Sequence, residues 1–362
     1  LRAALLSAYA TNPQLNAARE NQRALDETVP IARADGLPSL SGAAQETEYV
    51  KQSALSTTGA DRLFTLSGTL NVPVYSGGGV RNAVSGAETR VAAGRDDLRG
   101  SESGVFSQAV AAYMDVILNE AVVRLNEAQV QTLDVNLQAT RDRFEIGDLT
   151  RTDVAQSQSR LALARGQMQS AQANLANARE RYIQVIGRPP VALQPPPPLP
   201  GLPASAEDAL AVALDHNPDL LAARERSKAA RYDTRAAGAS RLPKVSLFAD
   251  AARADYLGSL SITGLPAGSV IPQASSTADV GVRATIPIFQ GGRPTALVKQ
   301  AQAREGAALE GEIGTERAVI AQTRAAFSSW QAANAIIASS QSAVDAATLS
   351  LEGVRAENSV GN

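Results

Sequence analysis

The chain carries two copies of one sequence plan, and a long internal repeat limits the fold before any single residue is weighed. Asn12-Pro-Gln-Leu-Asn-Ala-Ala-Arg-Glu20 recurs as Asn217-Pro-Asp-Leu-Leu-Ala-Ala-Arg-Glu225, 205 positions later. The same displacement carries Leu37-Pro38 onto Leu242-Pro243 and Ser41 onto Ser246. Further on, Val72-Pro-Val-Tyr-Ser-Gly-Gly78 recurs as Ile286-Pro-Ile-Phe-Gln-Gly-Gly292, now displaced by 214, which also aligns Ala111-Ala112-Tyr113 with Ala325-Ala326-Phe327, Arg141 with Arg355 and Gly147 with Gly361. The two displacements differ by nine residues, so one insertion falls between residues 41 and 72 of the first copy's frame. Residues 1–187 form the first repeat, 188–204 a Pro-rich linker and 205–362 the second repeat.

Each repeat opens in the same way. A helix follows the Asn-Pro pair, because Asn caps a helix and Pro is tolerated at its first position; it runs through Ala-rich sequence and stops before Pro38 or Pro243. Two short alternating segments come next. Phe64, Leu66, Leu70 and Val72 share one face while Thr65, Ser67, Thr69 and Asn71 share the other. In the second copy Val280, Val282, Ala284 and Ile286 alternate with Gly281, Arg283 and Thr285. Period two with one apolar and one polar face predicts strands. Polar, Gly-rich loops over residues 50–61 and 256–278 join the strand pairs.

After each Gly-Gly pair the breakers vanish. Residues 80–146 contain no proline, and Phe106, Val110, Tyr113, Ile117, Ala121 and Leu125 advance in steps of three or four. At ~1.5 Å per residue this predicts a helix about 100 Å long. Past Gly147-Asp148 a second helix is heptad-regular. Val154, Leu161, Met168, Leu175 and Tyr182 form a seam of large residues, and Ser157, Ala164, Ala171, Ala178 and Val185 a seam of small ones. Such seams are coiled-coil packing with close backbone approach. The second repeat has no counterpart of this return helix, and a further helix beyond residue 362, packing beside residues 154–186, is expected in the native gene product. Leu1 at the start, with no Met, suggests a processed or trimmed N-terminus.

Composition removes several function classes. The 34 basic and 36 acidic residues nearly balance, so no polybasic face argues for nucleic acid. Aromatics are 4% of the chain, too few for a thick globular core but suited to thin layers of close-packed helices. With no Cys, disulfides, thiolate metal sites and Cys nucleophiles are excluded. No apolar run reaches the ~18 residues of a membrane-spanning helix. The strand running into Gly77-Gly78-Gly79 superficially resembles a dinucleotide fingerprint with Asp96 downstream, but Asn82 stands where the last glycine belongs, and the following helix does not stop for a second parallel strand. His216 is the only histidine and reads as a solvated turn residue. Tyr113 and Trp330 read as packing residues, and Arg283 as either an incidental lumen charge or a selectivity element. No cofactor, metal or catalytic constellation is expected.

Four strands cannot close a barrel within one chain. Two chains would give eight strands around a filled interior, and three would give twelve around a water-filled bore. In such a barrel the Thr, Ser and Asn face is lumen, and Phe64, Leu66, Leu70, Val72, Val280, Val282 and Ile286 face lipid. Strands of about 9–11 residues suit a tilted bilayer crossing.

The duplicated Asn-Pro-x-Leu helix, the Pro-led strand, the two Gly-Gly turns and the helix ending in Ile146-Gly-Asp-Leu149 resemble outer membrane factors of the TolC family, over essentially the whole chain. The resemblance implies a mainly α fold with a small antiparallel β part. It implies a homotrimer whose twelve-strand barrel in the outer membrane continues as an α-helical barrel through the periplasm of a Gram-negative bacterium. It implies a periplasmic adaptor and an inner-membrane ABC exporter or proton-driven pump as partners. The turns Ile146, Gly147, Asp148, Leu149 and Val360, Gly361, Asn362 match the family's adaptor-docking tips, and Thr152 and Asp153 its periplasmic aperture. Asn358 stands where some members place an aperture tyrosine. Type I protein secretion is the first expectation and multidrug efflux the second; a periplasmic coiled-coil structural protein and a nucleotide-dependent enzyme are the alternatives from other classes. Ile146 and Leu149 are expected to stand exposed around the tip glycine.

Overall fold

The computed structural model describes residues 1–51, 58–197, 199–264, 266 and 269–359. The expected tip residues Val360, Gly361 and Asn362, and residues 52–57 of the first strand-joining loop, lie outside the described residues. In chain order the elements are α1 (Arg2–Thr11), α2 (Pro13–Asp26), α3 (Thr28–Ala34), β1 (Ser39–Glu48), β2 (Thr58–Ala60), β3 (Arg62–Tyr75), α4 (Gly79–Glu145), α5 (Arg151–Ile186), α6 (Ala206–His216), α7 (Pro218–Gly238), a 3-10 turn (Ala239–Arg241), β4 (Lys244–Asp255), β5 (Leu260–Ile262), β6 (Ala274–Thr285) and α8 (Arg293–Ser359). The protein is mainly α with a small antiparallel sheet.

Two compact units form, and each draws on both sequence repeats. The first contains residues 1–22, 95–220 and the chain from Glu316 onward; the second contains residues 23–94 and 221–315. In the first, α1 and α5 pack on α4 around Leu15, Ala109, Tyr113, Val116, Tyr182 and Ile186, with Ala4, Ala8 and Ala178 letting the backbones approach. The expected seams of α5 are largely the buried ones: Leu161 and Tyr182 from the large seam, Ala164, Ala171 and Ala178 from the small one. Tyr113 is a packing residue as expected, and its hydroxyl pins the linker by donating to the Gln194 carbonyl at 2.8 Å and accepting from the Gln194 amide at 3.1 Å.

The Asn-Pro reading holds in atomic detail. Asn12 Oδ1 accepts from the amides of Gln14 and Leu15 at 2.9 and 3.2 Å, and Asn217 Oδ1 from that of Leu220 at 3.1 Å. The sequence reading missed the helix before each pair. α1 earns its place through hydroxyls and an amide: Ser7 and Thr11 donate to the Ile186 carbonyl, and Asn12 to that of Val185, so α1 satisfies carbonyls that end α5. His216 is the last residue of α6, exposed, with its neighbour Asp215 at 3.1 Å.

In the second unit the four long strands form one antiparallel sheet in the order β1-β3-β4-β6. They run 10, 14, 12 and 12 residues, longer than expected except β1. Pro73 cannot donate to a ladder, and the pairing of β3 with β4 slips between Pro73 and Tyr75, where the strand ends. The chain then turns through Gly77 and Gly78 at φ +64° and +79°; Gly291 and Gly292 repeat the turn at +55° and +80° before α8. These turns lead into 67-residue helices, and every strand pair among the described residues is antiparallel, so the nucleotide-fold reading fails on topology. The second loop is shorter than expected, because β6 already starts at Ala274.

Candidate functional site

Register turns the alternation of each strand into rows across the sheet. On one face Leu40, Leu70, Ala249 and Val280 form a row, and Val72, Leu247 and Val282 form the row beside it. Gly42, Gly68, Ala251 and Ala278 add a third apolar row on the other side of the first. Beyond it the face changes character. Leu66 lies between Ala44 and Arg253, and Phe64 between Glu46 and Asp255. The seven residues expected on this face therefore divide. Leu70, Val72, Val280 and Val282 lie within the apolar band, Leu66 and Phe64 at its charged margin, and Ile286 one residue past the end of β6.

The opposite face is polar throughout its middle. Ser41, Thr69, Asp250 and Asp279 make one row, and Ala43, Ser67, Ala252 and Thr277 the next. Toward the helices Asn71, Phe248 and Gly281 share a row, followed by Pro73, Ser246 and Arg283, then Lys244 and Thr285. The outer edges of β1 and β6 carry no partner strand among the described residues. An amphipathic sheet with two open edges has unpaired backbone N–H and C=O groups that a membrane interior cannot solvate.

Past the far ends of these strands the connecting segments are better organised than their composition suggested. β2 pairs with β5, one strand from each repeat. Gln273 acts as a strand in miniature: its side-chain amide donates to the Leu260 carbonyl at 3.1 Å and accepts from the Leu260 amide at 3.0 Å. Ser259 bridges to Arg62, accepting from its amide and donating to its carbonyl, both at 2.9 Å. Three-residue strands have no readable period, so no sequence signal pointed to them.

The turn between α4 and α5 is fully described. Gly147 adopts φ +85°, its amide donates to Phe144, and the Asp148 amide reaches back to the Arg143 carbonyl at 2.9 Å, which is a Schellman closure. The Arg143 guanidinium clasps the Asp148 carboxylate at 2.7 Å. α5 then starts with a capping box: Thr150 Oγ1 accepts from the Asp153 amide, and Asp153 Oδ2 accepts from the Thr150 amide at 2.8 Å and its hydroxyl at 2.7 Å. The Thr150 side-chain hydrogen bond, followed by the backbone one, holds the Asp153 carboxyl below the usual carboxylate range. One oxygen of Asp153 is thus engaged within its own chain. Ile146 is 80% exposed, as expected, but Leu149 is half-buried. Thr152 is exposed beside them, whereas Asn358 sits in the last turn of α8 and no hydrogen bond or ion pair among the described residues joins it to this turn.

An amphipathic antiparallel sheet with two open edges, in a chain that also carries two 67-residue helices, has the make-up of a membrane-barrel protomer. The chain belongs to the outer membrane efflux protein family, whose model matches residues 5–188 and 209–362. It is 33% identical over 362 residues to the outer membrane efflux protein BepC of Brucella suis, covering all of this chain and 76% of that protein. It is 29% identical to the outer membrane protein TolC of Escherichia coli, over 75% of this chain and 56% of TolC. The alkaline protease secretion protein AprF of Pseudomonas aeruginosa is 27% identical, over 57% of this chain and 42% of AprF. In fold the chain is similar to CusC, with a TM-score of 0.80 at 19% identity over 98% of this chain and 81% of CusC. It is also similar to VceC of Vibrio cholerae, with a TM-score of 0.74 at 21% identity over 91% of this chain and 78% of VceC. The chain is a Gram-negative outer-membrane channel protein, and not an enzyme. Its helices include none long and apolar enough to cross a membrane among the described residues.

Proposed function

We propose that three copies of the chain close one twelve-strand barrel, forming an exit duct that a periplasmic adaptor connects to an inner-membrane transporter. The observation that carries this is the sheet: four strands, one apolar band, one polar face and two open edges. Three sheets joined β1 to β6 satisfy every edge and enclose a bore wide enough for water. The Leu70 and Val72 rows then meet lipid, and Phe64 with its charged neighbours marks the level where the barrel leaves the hydrocarbon. Sizing in detergent and planar-bilayer recording test this; a stable monomer that forms no pore contradicts it.

Type I protein secretion is the first cargo reading, supported by the likeness to a protease secretion protein. Small-molecule efflux is the second, favoured by the higher identity and coverage of an efflux protein. Both use the same duct, and cargo is selected by the inner-membrane partner. Identifying the transporter that co-purifies, ATP-driven or proton-driven, separates them.

The α4–α5 turn is the proposed adaptor contact, with Val360, Gly361 and Asn362 as its counterpart in the second repeat. Ile146 at the end of a long hairpin gains nothing for folding from its exposure and suits a docking helix. Ile146→Asp or Gly147→Arg is expected to leave assembly intact and abolish both export and adaptor crosslinking. Leu149→Asp is expected to disturb the turn as well, because that side chain is half-buried. Thr152, Asp153 and Asn358 are proposed to line the periplasmic aperture. Normal export by both tip variants would assign these turns to folding alone.

A further inference from the structure

The polar face of the sheet ends, toward the helices, in a 610 Å³ cavity whose lining includes Asn71, Ser246, Lys244 and Arg283 from the strands and Ser76 and Ser240 from the turns below them. Lys244 and Arg283 are diagonal neighbours on one face, since Arg283 pairs with Ser246 and Lys244 lies two residues further along β4. Side chains so related stand within about 7–8 Å at their bases, close enough to converge on one small group. Neither forms an ion pair among the described residues.

The reason lies in the rows above them. The carboxylates on this face within the sheet, Asp250 and Asp279, sit directly opposite each other in the row of Thr69. Phe248 and Gly281 occupy the row between the acids and the bases. Arg283 places its guanidinium over the Phe248 ring, 4.8 Å from the centroid, which holds the cation through its face and leaves its edge N–H groups to donate. Gly281 makes this possible, because a Cβ there would come within 2.8 Å of two ring carbons of Phe248. Asp35 is the one carboxylate lining the cavity, so the two cations there exceed the acid by one charge.

We infer that this cavity is a binding station for an oxyanion, the phosphate or carboxylate group of a solute on the polar face. Arg283 supplies a planar fork, Lys244 a mobile point charge, and Asn71 with the serine hydroxyls further donors. Calling this face the lumen rests on the barrel reading above; the cavity and its charges do not.

Inorganic phosphate titrated into the detergent-solubilised full chain, followed by phosphorus NMR line width, and into single channels, followed by current block, tests the inference. The double variant Lys244→Gln with Arg283→Gln is expected to raise the half-saturating phosphate concentration at least about tenfold. Gly281→Ala alters no charge but displaces Phe248, and is expected to weaken phosphate binding several-fold through Arg283. Arg253→Gln removes a cation from the opposite face of the same strand and should change nothing. Dihexanoyl phosphatidic acid separates the sources. Binding tighter than phosphate, lost in the double variant, assigns the station to a lipid headgroup; binding no tighter than phosphate assigns it to a free solute. Saturable binding in detergent without any conductance would sink the duct and keep the station. Phosphate affinity unchanged in the double variant, or equally reduced by Arg253→Gln, overturns it.

Discussion

Helices α4 and α8 are the same helix written twice, 67 residues each, yet one has a buried face over its second half and the other does not. Displacement by 214 carries Val105, Tyr113, Val116, Val123 and Leu137 of α4 onto Val319, Phe327, Trp330, Ile337 and Leu351 of α8. All five α4 residues are buried. Of their counterparts only Val319 is buried; Trp330 is 43%, Ile337 66% and Leu351 50% exposed. The apolar stripe is therefore conserved between the repeats while its burial is not. What differs is the cover. α5 lies along α4, closed by the Gly147 turn and tied by ion pairs from Arg165 to Asp134 and Arg179 to Glu120; α7 meets only the first part of α8, through Ser227 to Glu312 and Arg231 to Glu305, and residues 331–358 are all exposed. A stripe of apolar residues at helical spacing specifies that a partner is needed, and burial follows only where the partner is supplied.

Substituting equivalent positions sharpens the contrast. Val116→Asp places an unpaired charge in the core of the first unit and is expected to cost about 3–5 kcal/mol, read by denaturant unfolding. Trp330→Asp, the same position in α8, is expected to cost less, because that side chain is 43% exposed. A comparable loss from both would mean that the stripe of α8 is covered after all. A smaller effect separates Tyr113 from Phe327. Tyr113→Phe removes both hydrogen bonds to Gln194 and is expected to cost about 1–3 kcal/mol, whereas Phe327→Tyr only adds a hydroxyl that finds water.

What could be read from the sequence follows the length of each signal. The repeat, the long helices, the α5 seams and the faces of β3 and β6 were legible because each rests on a period sustained over many residues. The helix before Asn12 was not, because its Ala-rich turns carry little amphipathic contrast and it is anchored on α5 carbonyls distant in sequence; the helix before Asn217 was not either, and it has no buried residue. Trp330 was read as packing; it packs against Phe327 and is 43% exposed, because helical spacing marks the face that needs a partner without naming the partner. Arg283 drew notice only as a charge on the polar face. Its place over Phe248 depends on a register with β4 that no local pattern encodes. Asp153 drew notice through the resemblance, as an aperture residue, and its role as a cap partner of Thr150 accounts for one of its oxygens before any contact with another chain.

The smallest effect expected is at that cap. Because the folded-state pKa of Asp153 is lowered, its contribution to the turn is fully present above the unfolded carboxylate value of about 3.9 and is lost as pH falls through the lower folded value. Amide exchange at Thr150 and Asp153 should quicken across that acid window, after correction for intrinsic rates, and Asp153→Asn should abolish the pH dependence.

The central claim is that the sheet lines a pore with one face and meets lipid with the other, and the chain's lack of cysteine allows a direct measurement. Thr69→Cys and Leu70→Cys place single thiols on adjacent residues of β3, one on each face. In planar-bilayer recordings a charged, membrane-impermeant thiol reagent should reduce the current through Thr69→Cys channels and leave Leu70→Cys channels unchanged. Block of the Leu70→Cys current with Thr69→Cys inert, or no channels at all from the parent protein, would contradict the account.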